Sequence, residues 1–382
     1  MLRQFVNSVT ITSLRPFSIA AWKYDPQQSK RDLRLDFLRG LFLVVMIIDH
    51  YREAWISRLT YESLGTVSAA EGFVFISGMV AALVYLPLLE TKGFRAMLRR
   101  VGRRVLHLYL AYVVFLGILL LLNYFAFPLK PFKRHAPPTS PLELVSEIAT
   151  LHYAPFGFDI ILLYILLLCF TPLILWLIHT HKTRWLLAGS LTLYVFNRSF
   201  PEIFMWQFSN KADSNFPVMV WQLLFVGGIV TFVNRKQLLQ FWHRLSTLYP
   251  GVWVAVLFLL FFVLRQLWSS GAVVWNDASY DFWFDKTFLG VGRLLNFCVL
   301  ALVIYWFVTH FWLPLSRVPA KLLIPLGQAS LYVFMVHLIF TYTYRSFQAS
   351  LPLETSGIYE VATILFIWLL VQRRFLFRFV PH

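Results

Sequence analysis

Apolar runs of about 20 residues recur along this chain, separated by short clusters of Lys and Arg. At about 1.5 Å per helical residue, such runs are long enough to cross a hydrocarbon core of ~30 Å. Candidates fall at 38–55, 67–89, 105–127, 156–179, 185–200, 216–234, 251–268, 289–312, 322–343 and 357–372. About ten spans predict an all-α, polytopic integral membrane protein. Composition agrees. Hydrophobic residues make up 59% of the chain and charged residues 14%, against about 25% charged in a soluble domain. Too few polar side chains are present to cover a globular surface, so the lipid bilayer is the expected partner.

The formal net charge of +16 does not point to nucleic acid, because the basic residues form no single patch. They recur between apolar runs, as orientation signals do. With the N-terminus inside, the inner segments hold more than twice as many Lys and Arg as the outer ones. Both termini are therefore expected in the cytoplasm. Residues 1–30 are mixed and polar, without an apolar core that ends in a small-residue cleavage site. They predict a cytoplasmic N-terminal extension and no cleavable signal peptide. Residues 31–382 form one membrane domain. Cys169 and Cys298 lie within apolar runs without metal-ligand spacing and read as small buried residues. No metal site or nucleotide-binding loop is expected.

The first run, RDLRLDFLRGLFLVVMIIDHY, carries the strongest chemical signal. Arg39 and His50 are eleven positions apart, so at 100° per residue they differ by only about 20° and share a face. Asp36 lies three residues before Arg39, in reach of an ion pair. The axial distance from Arg39 to His50 is about 16 Å. If Arg39 sits at the inner boundary, His50 lies near mid-membrane. An ionisable residue at that depth is a functional candidate, and histidine is a natural general base. Asp49 adjoins it. Glu71 opens the second run and is a further carboxylate that could orient it. Arg100 and Arg103 stand at the inner mouth of the third run, spaced to grip phosphates. Asp159, Trp221, Gln222, Arg293, Asn296 and His337 interrupt other apolar runs. Buried polar groups are costly unless they meet one another, so one shared polar cavity is expected.

These segments resemble the acyltransferase-3 superfamily of membrane acyltransferases, and within it the OpgC branch, osmoregulated periplasmic glucan succinyltransferases. The basic residue, ten residues, then histidine pattern stands at Arg39 to His50, and the Arg-x-x-Arg pair at Arg100 and Arg103. The strings RLDFLRG, AAEGFVFISG, LYLAY, FDIILLYILLL, WQLLFVGG, RLLNF and SLYVFMVHL follow in the branch's order, from about residue 31 to 345. The extension 1–30 is not part of the pattern. The resemblance implies an inner-membrane enzyme that transfers an acyl group from cytoplasmic acyl-CoA to a hydroxyl of a periplasmic glucan or other glycan. It implies succinyl-CoA as the donor, no permanently bound cofactor, His50 as the catalytic histidine, and the Arg pair as a site for CoA phosphates.

Two roles for His50 stay open at this point, general base or transient acyl carrier, as does the choice of Asp49 or Glu71 as its partner. A proton-coupled transporter would use the same buried His, Asp and Arg groups, and a non-catalytic subunit is a further alternative. The outer loops 128–150 and 269–287 are expected to meet the acceptor. In the second loop Trp275, Tyr280 and Trp283 could stack on sugar faces, and Asp277, Asp281 and Asp285 could accept hydrogen bonds from sugar hydroxyls.

Overall fold

The structure, a computed structural model, describes residues 22–25, 31–51, 56, 60, 63–134, 137–201, 216–244, 249–274, 276–347 and 356–377. The described residues form sixteen helices and no strand. In order these are α1 Leu33–Asp49, α2 Ala69–Lys92, α3 Phe94–Phe125, α4 Lys130–Arg134, α5 Pro141–Ala149, α6 Asp159–His179, α7 Thr183–Ser199 and α8 Val218–Val233. There follow α9 Arg235–Arg244, α10 Tyr249–Ser269, α11 Asp277–Phe284, α12 Val291–His310, α13 Trp312–Arg317, α14 Pro319–Gln328, α15 Ser330–Phe347 and α16 Ser356–Gln372.

Five of these helices (α2, α3, α6, α10 and α12) are long and apolar enough to cross a membrane. Up to seven spans result if each of two bent pairs, α8–α9 (76°) and α14–α15 (96°), counts as one. The chain is a multi-pass membrane protein. Large apolar side chains on α3 and α10, such as Leu110, Val114, Val256 and Leu260, are exposed. Such faces need lipid rather than water. Cys169 and Cys298 are also on exposed faces, not buried as expected. A thiol is apolar enough to face acyl chains.

Helix α1 starts where Asp32 caps it by accepting from the Arg34 amide at 3.1 Å. It ends at Asp49, with His50 as its C-cap, earlier than the expected end of the first span at residue 55. Of the extension 1–30, only residues 22–25 are described. Tyr24 binds the Thr309 carbonyl through its amide at 2.7 Å and packs edge-on against Trp312.

Two close crossings fix the centre. Gly40 of α1 and Gly327 of α14 face each other's backbones. A β-carbon at Gly40 would lie 1.9 Å from the Leu323 carbonyl oxygen, and one at Gly327 would lie 1.9 Å from the Asp36 carbonyl oxygen. Gly78 of α2 and Gly228 of α8 make a second reciprocal crossing, at 2.1 Å from Phe225 O and 2.0 Å from Phe75 O. Small residues let backbones approach where lipid offers no hydrophobic drive. Gly78→Val and Gly228→Val should each sharply lower the amount of folded protein recovered in detergent, because the clash is with backbone. Wild-type recovery of both variants would show that the crossing is not needed.

The break between α14 and α15 positions the site. It turns α15 so that it runs beside α1 in the same direction, Ser330 meeting Arg39, His337 meeting His50, and Arg345 meeting the end of α1. On the same end, the segment 128–134, which includes α4, covers α15. The Lys130 amide donates to Ser346 Oγ at 2.9 Å, and Phe132 packs on Tyr342.

Candidate active site

His50 and His337 face each other at the end of α1. His50 Nδ1 lies 2.9 Å from His337 Nε2, and the rings stack at 5.0 Å. His337 is wholly buried, while His50 is partly exposed. The Nδ1 of His337 faces the carbonyls of Val333 and Phe334 on its own helix without reaching full hydrogen-bond geometry. That arrangement favours the proton on His337 Nδ1 and makes its Nε2 the acceptor. His50 Nδ1–H then donates across the pair, which makes Nε2 the acceptor nitrogen of the His50 ring.

Three further groups surround the pair. Phe156 packs edge-on to the His50 ring at 5.1 Å. Arg345 lies over Phe156 with its guanidinium carbon 3.7 Å from the ring centre, and its Nη2 donates to the His50 carbonyl at 3.2 Å. Asp49 accepts from Thr60 Oγ1 at 2.7 Å. Glu360 of α16 is fully buried within electrostatic range of Asp49, and neither of its carboxylate oxygens has a hydrogen-bond partner among the described residues. Beside it Tyr51 Oη meets Thr363 Oγ1 at 3.4 Å.

About 16 Å along α1 from His50, a small open cleft is lined by Arg39, Ser77, Arg104, Tyr164, Ser330 and Phe334, among others. Arg39 donates to Ser330 Oγ, while its Nε is enclosed and has no hydrogen-bond partner among the described residues. The expected Asp36–Arg39 ion pair is not the one formed. Asp36 instead pairs with Arg31 at 2.8 Å and accepts from Gln328 at 3.2 Å. Arg39 is therefore left facing the cleft with Arg104. Phe334 lines the cleft and packs edge-on to His337 at 4.9 Å, so it stands between the cleft and the histidine pair.

The expected single polar cavity divides into separate clusters. Glu71 does not join His50. Its Oε1 meets Arg293 Nε at 2.5 Å, and its Oε2 accepts from Ser68 N and Oγ at 3.0 and 2.7 Å. Both partners of that ion pair are almost fully buried. Asn296 Oδ1 accepts from the Thr66 amide at 2.9 Å close by. Gln222 binds Ser190 through both ends of its amide, at 2.7 and 2.8 Å, and Trp221 Nε1 donates to Thr287 O at 3.0 Å. Asp159 opens α6 and accepts from the Ile160 amide at 3.0 Å. Arg100 and Arg103 are exposed on α3, whereas Arg104, one position on, turns into the cleft.

In the outer loops, Trp275 and the side chains of Asp277 and Asp281 lie outside the described residues. Tyr280 stacks on Trp268 at 4.7 Å, and Asp285 accepts from the Phe288 amide. Sequence reasoning missed Arg104, Phe156, Arg345 and Glu360. Only Arg104 and Glu360 carried a signal, a fourth Arg in its cluster and a carboxylate inside an apolar run.

Fold and site together define a multi-pass membrane protein, all-helical among the described residues, with a histidine pair separated by Phe334 from a cleft lined by Arg39 and Arg104. The sequence matches the family described as OpgC protein over residues 31–373, and the chain belongs to that family. No match is found among curated proteins or among solved structures.

Proposed function

We propose that this protein is an inner-membrane O-acyltransferase of about ten spans with both termini in the cytoplasm, residues 31–382 forming the catalytic domain. It moves an acyl group, succinyl by preference, from cytoplasmic acyl-CoA to a hydroxyl of a periplasmic glucan. Membership of the OpgC family supports a glucan-modifying transferase. The observation that carries the chemistry is the pair of His50 and His337 at 2.9 Å, set along α1 from the Arg39–Arg104 cleft.

The acceptor hydroxyl attacks the thioester carbonyl. The carbon–oxygen bond forms as the carbon–sulfur bond breaks, and His50 Nε2 takes the hydroxyl proton and returns it to the departing thiolate. The products are a glucan ester and free CoA. His337 is a positioning residue that fixes the His50 tautomer, and Asp49, next to His50 at the end of α1, is its neighbouring carboxylate. Arg39 and Arg104 hold the donor's phosphate end, with Arg100 and Arg103 reaching it from the inner surface. The pantetheine arm then spans the distance to His50, past Phe334.

Donor-binding arginines raise the KM for donor when removed. Arg104→Ala should raise the acyl-CoA KM about tenfold or more, as loss of a charge-assisted hydrogen bond does, with the KM for glucan unchanged. Arg100→Ala with Arg103→Ala should shift the donor KM in the same direction. Initial rates at varied concentrations of each substrate check both. Equal changes in the two KM values would remove these arginines from donor binding. Acyl-CoA-dependent ester formation on glucan by the purified protein tests the reading as a whole. Hydroxyl-independent transport without thiol release would favour a permease.

A further inference from the structure

We propose that α9 is an interfacial helix whose basic face binds anionic phospholipid headgroups and seats the end of α8 on the inner leaflet. With 16 residues, α8 rises about 24 Å, most of a ~30 Å hydrocarbon core. It therefore ends near a membrane boundary, on the side that the charge count assigns to the cytoplasm. There the chain turns by 76° into α9. Side chains pin the turn. Asn234 Nδ2 donates to the Val230 carbonyl at 2.8 Å, and Arg235 Nη1 donates to the Phe232 carbonyl at 2.8 Å. The Arg235 guanidinium also lies 4.1 Å from the Phe232 ring centre. A helix held at that angle to a span runs along the membrane surface.

The two faces of α9 differ as that position requires. At 100° per residue, Leu238, Leu239, Phe241 and Trp242 fall within one arc of about 160°. Lys236, Gln237, Gln240 and Arg244 fall on the opposite side. All eight are exposed, so none of the described elements buries either face. The apolar arc is suited to the acyl boundary, where Trp242 also belongs. Arg235, Lys236, Gln237, Gln240 and Arg244 make the helix too polar to enter the hydrocarbon core, which separates α9 from a continuation of the α8 span. The charge is of one sign. Between Asp213 and Asp277 the chain holds no Asp or Glu, and among the described residues neither Lys236 nor Arg244 pairs with a carboxylate. An anionic lipid surface supplies the missing counter-charge.

Fluorophores placed on the two faces of the full chain test this. Cys169 and Cys298 are exposed, so Leu239→Cys and Gln240→Cys are each made with Cys169→Ala and Cys298→Ala and labelled in vesicles of mixed phosphatidylcholine and phosphatidylglycerol. A lipid quencher with its doxyl group near the headgroup should quench the label at 239, while aqueous iodide should reach the label at 240. If Leu239→Cys does not fold, Leu238→Cys, on the same arc, replaces it. Doxyl-phosphatidylglycerol should quench several-fold better than doxyl-phosphatidylcholine. That preference should fall about fivefold or more in Lys236→Gln with Arg244→Gln, and also at about 0.5 M salt. Equal quenching by the two lipids, or a preference that survives the double change, overturns the anionic-lipid site. Iodide reaching 239 as freely as 240 overturns the interfacial seat. Shielding of 239 from both lipid and iodide points to a second copy of the chain on that face and overturns it too.

Discussion

His50→Ala should reduce acyl transfer by about 10²–10⁴-fold, the usual cost of losing a general base, while the protein still inserts and folds. The side chain is partly exposed at the end of α1, so its removal leaves no large core cavity. Its loss strips His337 Nε2 of its partner at 2.9 Å, a modest penalty beside the lost turnover. His50→Gln offers a finer reading, because an amide can hydrogen-bond to His337 but cannot carry a proton at neutral pH. It should fold as well as wild type and be equally inactive. Near-normal turnover in either folded variant would take His50 out of the mechanism.

Arg293→Met should unfold or nearly unfold the protein, for a different reason. It leaves the Glu71 carboxyl fully enclosed without its counter-charge, held among the described residues by the Ser68 donors. Breaking a buried ion pair on one side typically costs about 3–5 kcal/mol, a large fraction of a domain's ~5–15 kcal/mol. The double change Glu71→Gln with Arg293→Met removes both charges and should recover much of that loss. Thermal unfolding in detergent measures both. If Arg293→Met instead melts at the wild-type temperature and loses turnover, Glu71 and Arg293 belong to the chemistry rather than to the scaffold.

The stripe from Arg39 to His50 is legible in the sequence because both lie on one helix, where a fixed 100° step sets the face. The partners are not legible by that route. His337 lies 287 residues from His50, and Arg293 lies 222 from Glu71. Periodicity carries no information across such separations. Asp36 shows the opposite error, since local spacing offered Arg39 while the fold supplied Arg31 and Gln328.

Within RRVGRR, all four guanidinium groups look alike in sequence. The packing of α3 on α6 decides that Arg104 turns inward and Arg100 and Arg103 outward. Likewise only the fold names Gly228 as the counterpart of Gly78. The 96° break before Ser330 falls inside a run that reads as one continuous span. That break is what brings His337 to His50.

The most direct test uses purified wild-type protein in proteoliposomes, with labelled succinyl-CoA and a linear glucan acceptor. Free thiol and label on the glucan are followed together. The account expects thiol and ester to appear in equal amounts, dependent on the acceptor and absent in His50→Ala. Folded protein that releases no thiol above the protein-free rate, or labels glucan equally well without His50, would contradict it.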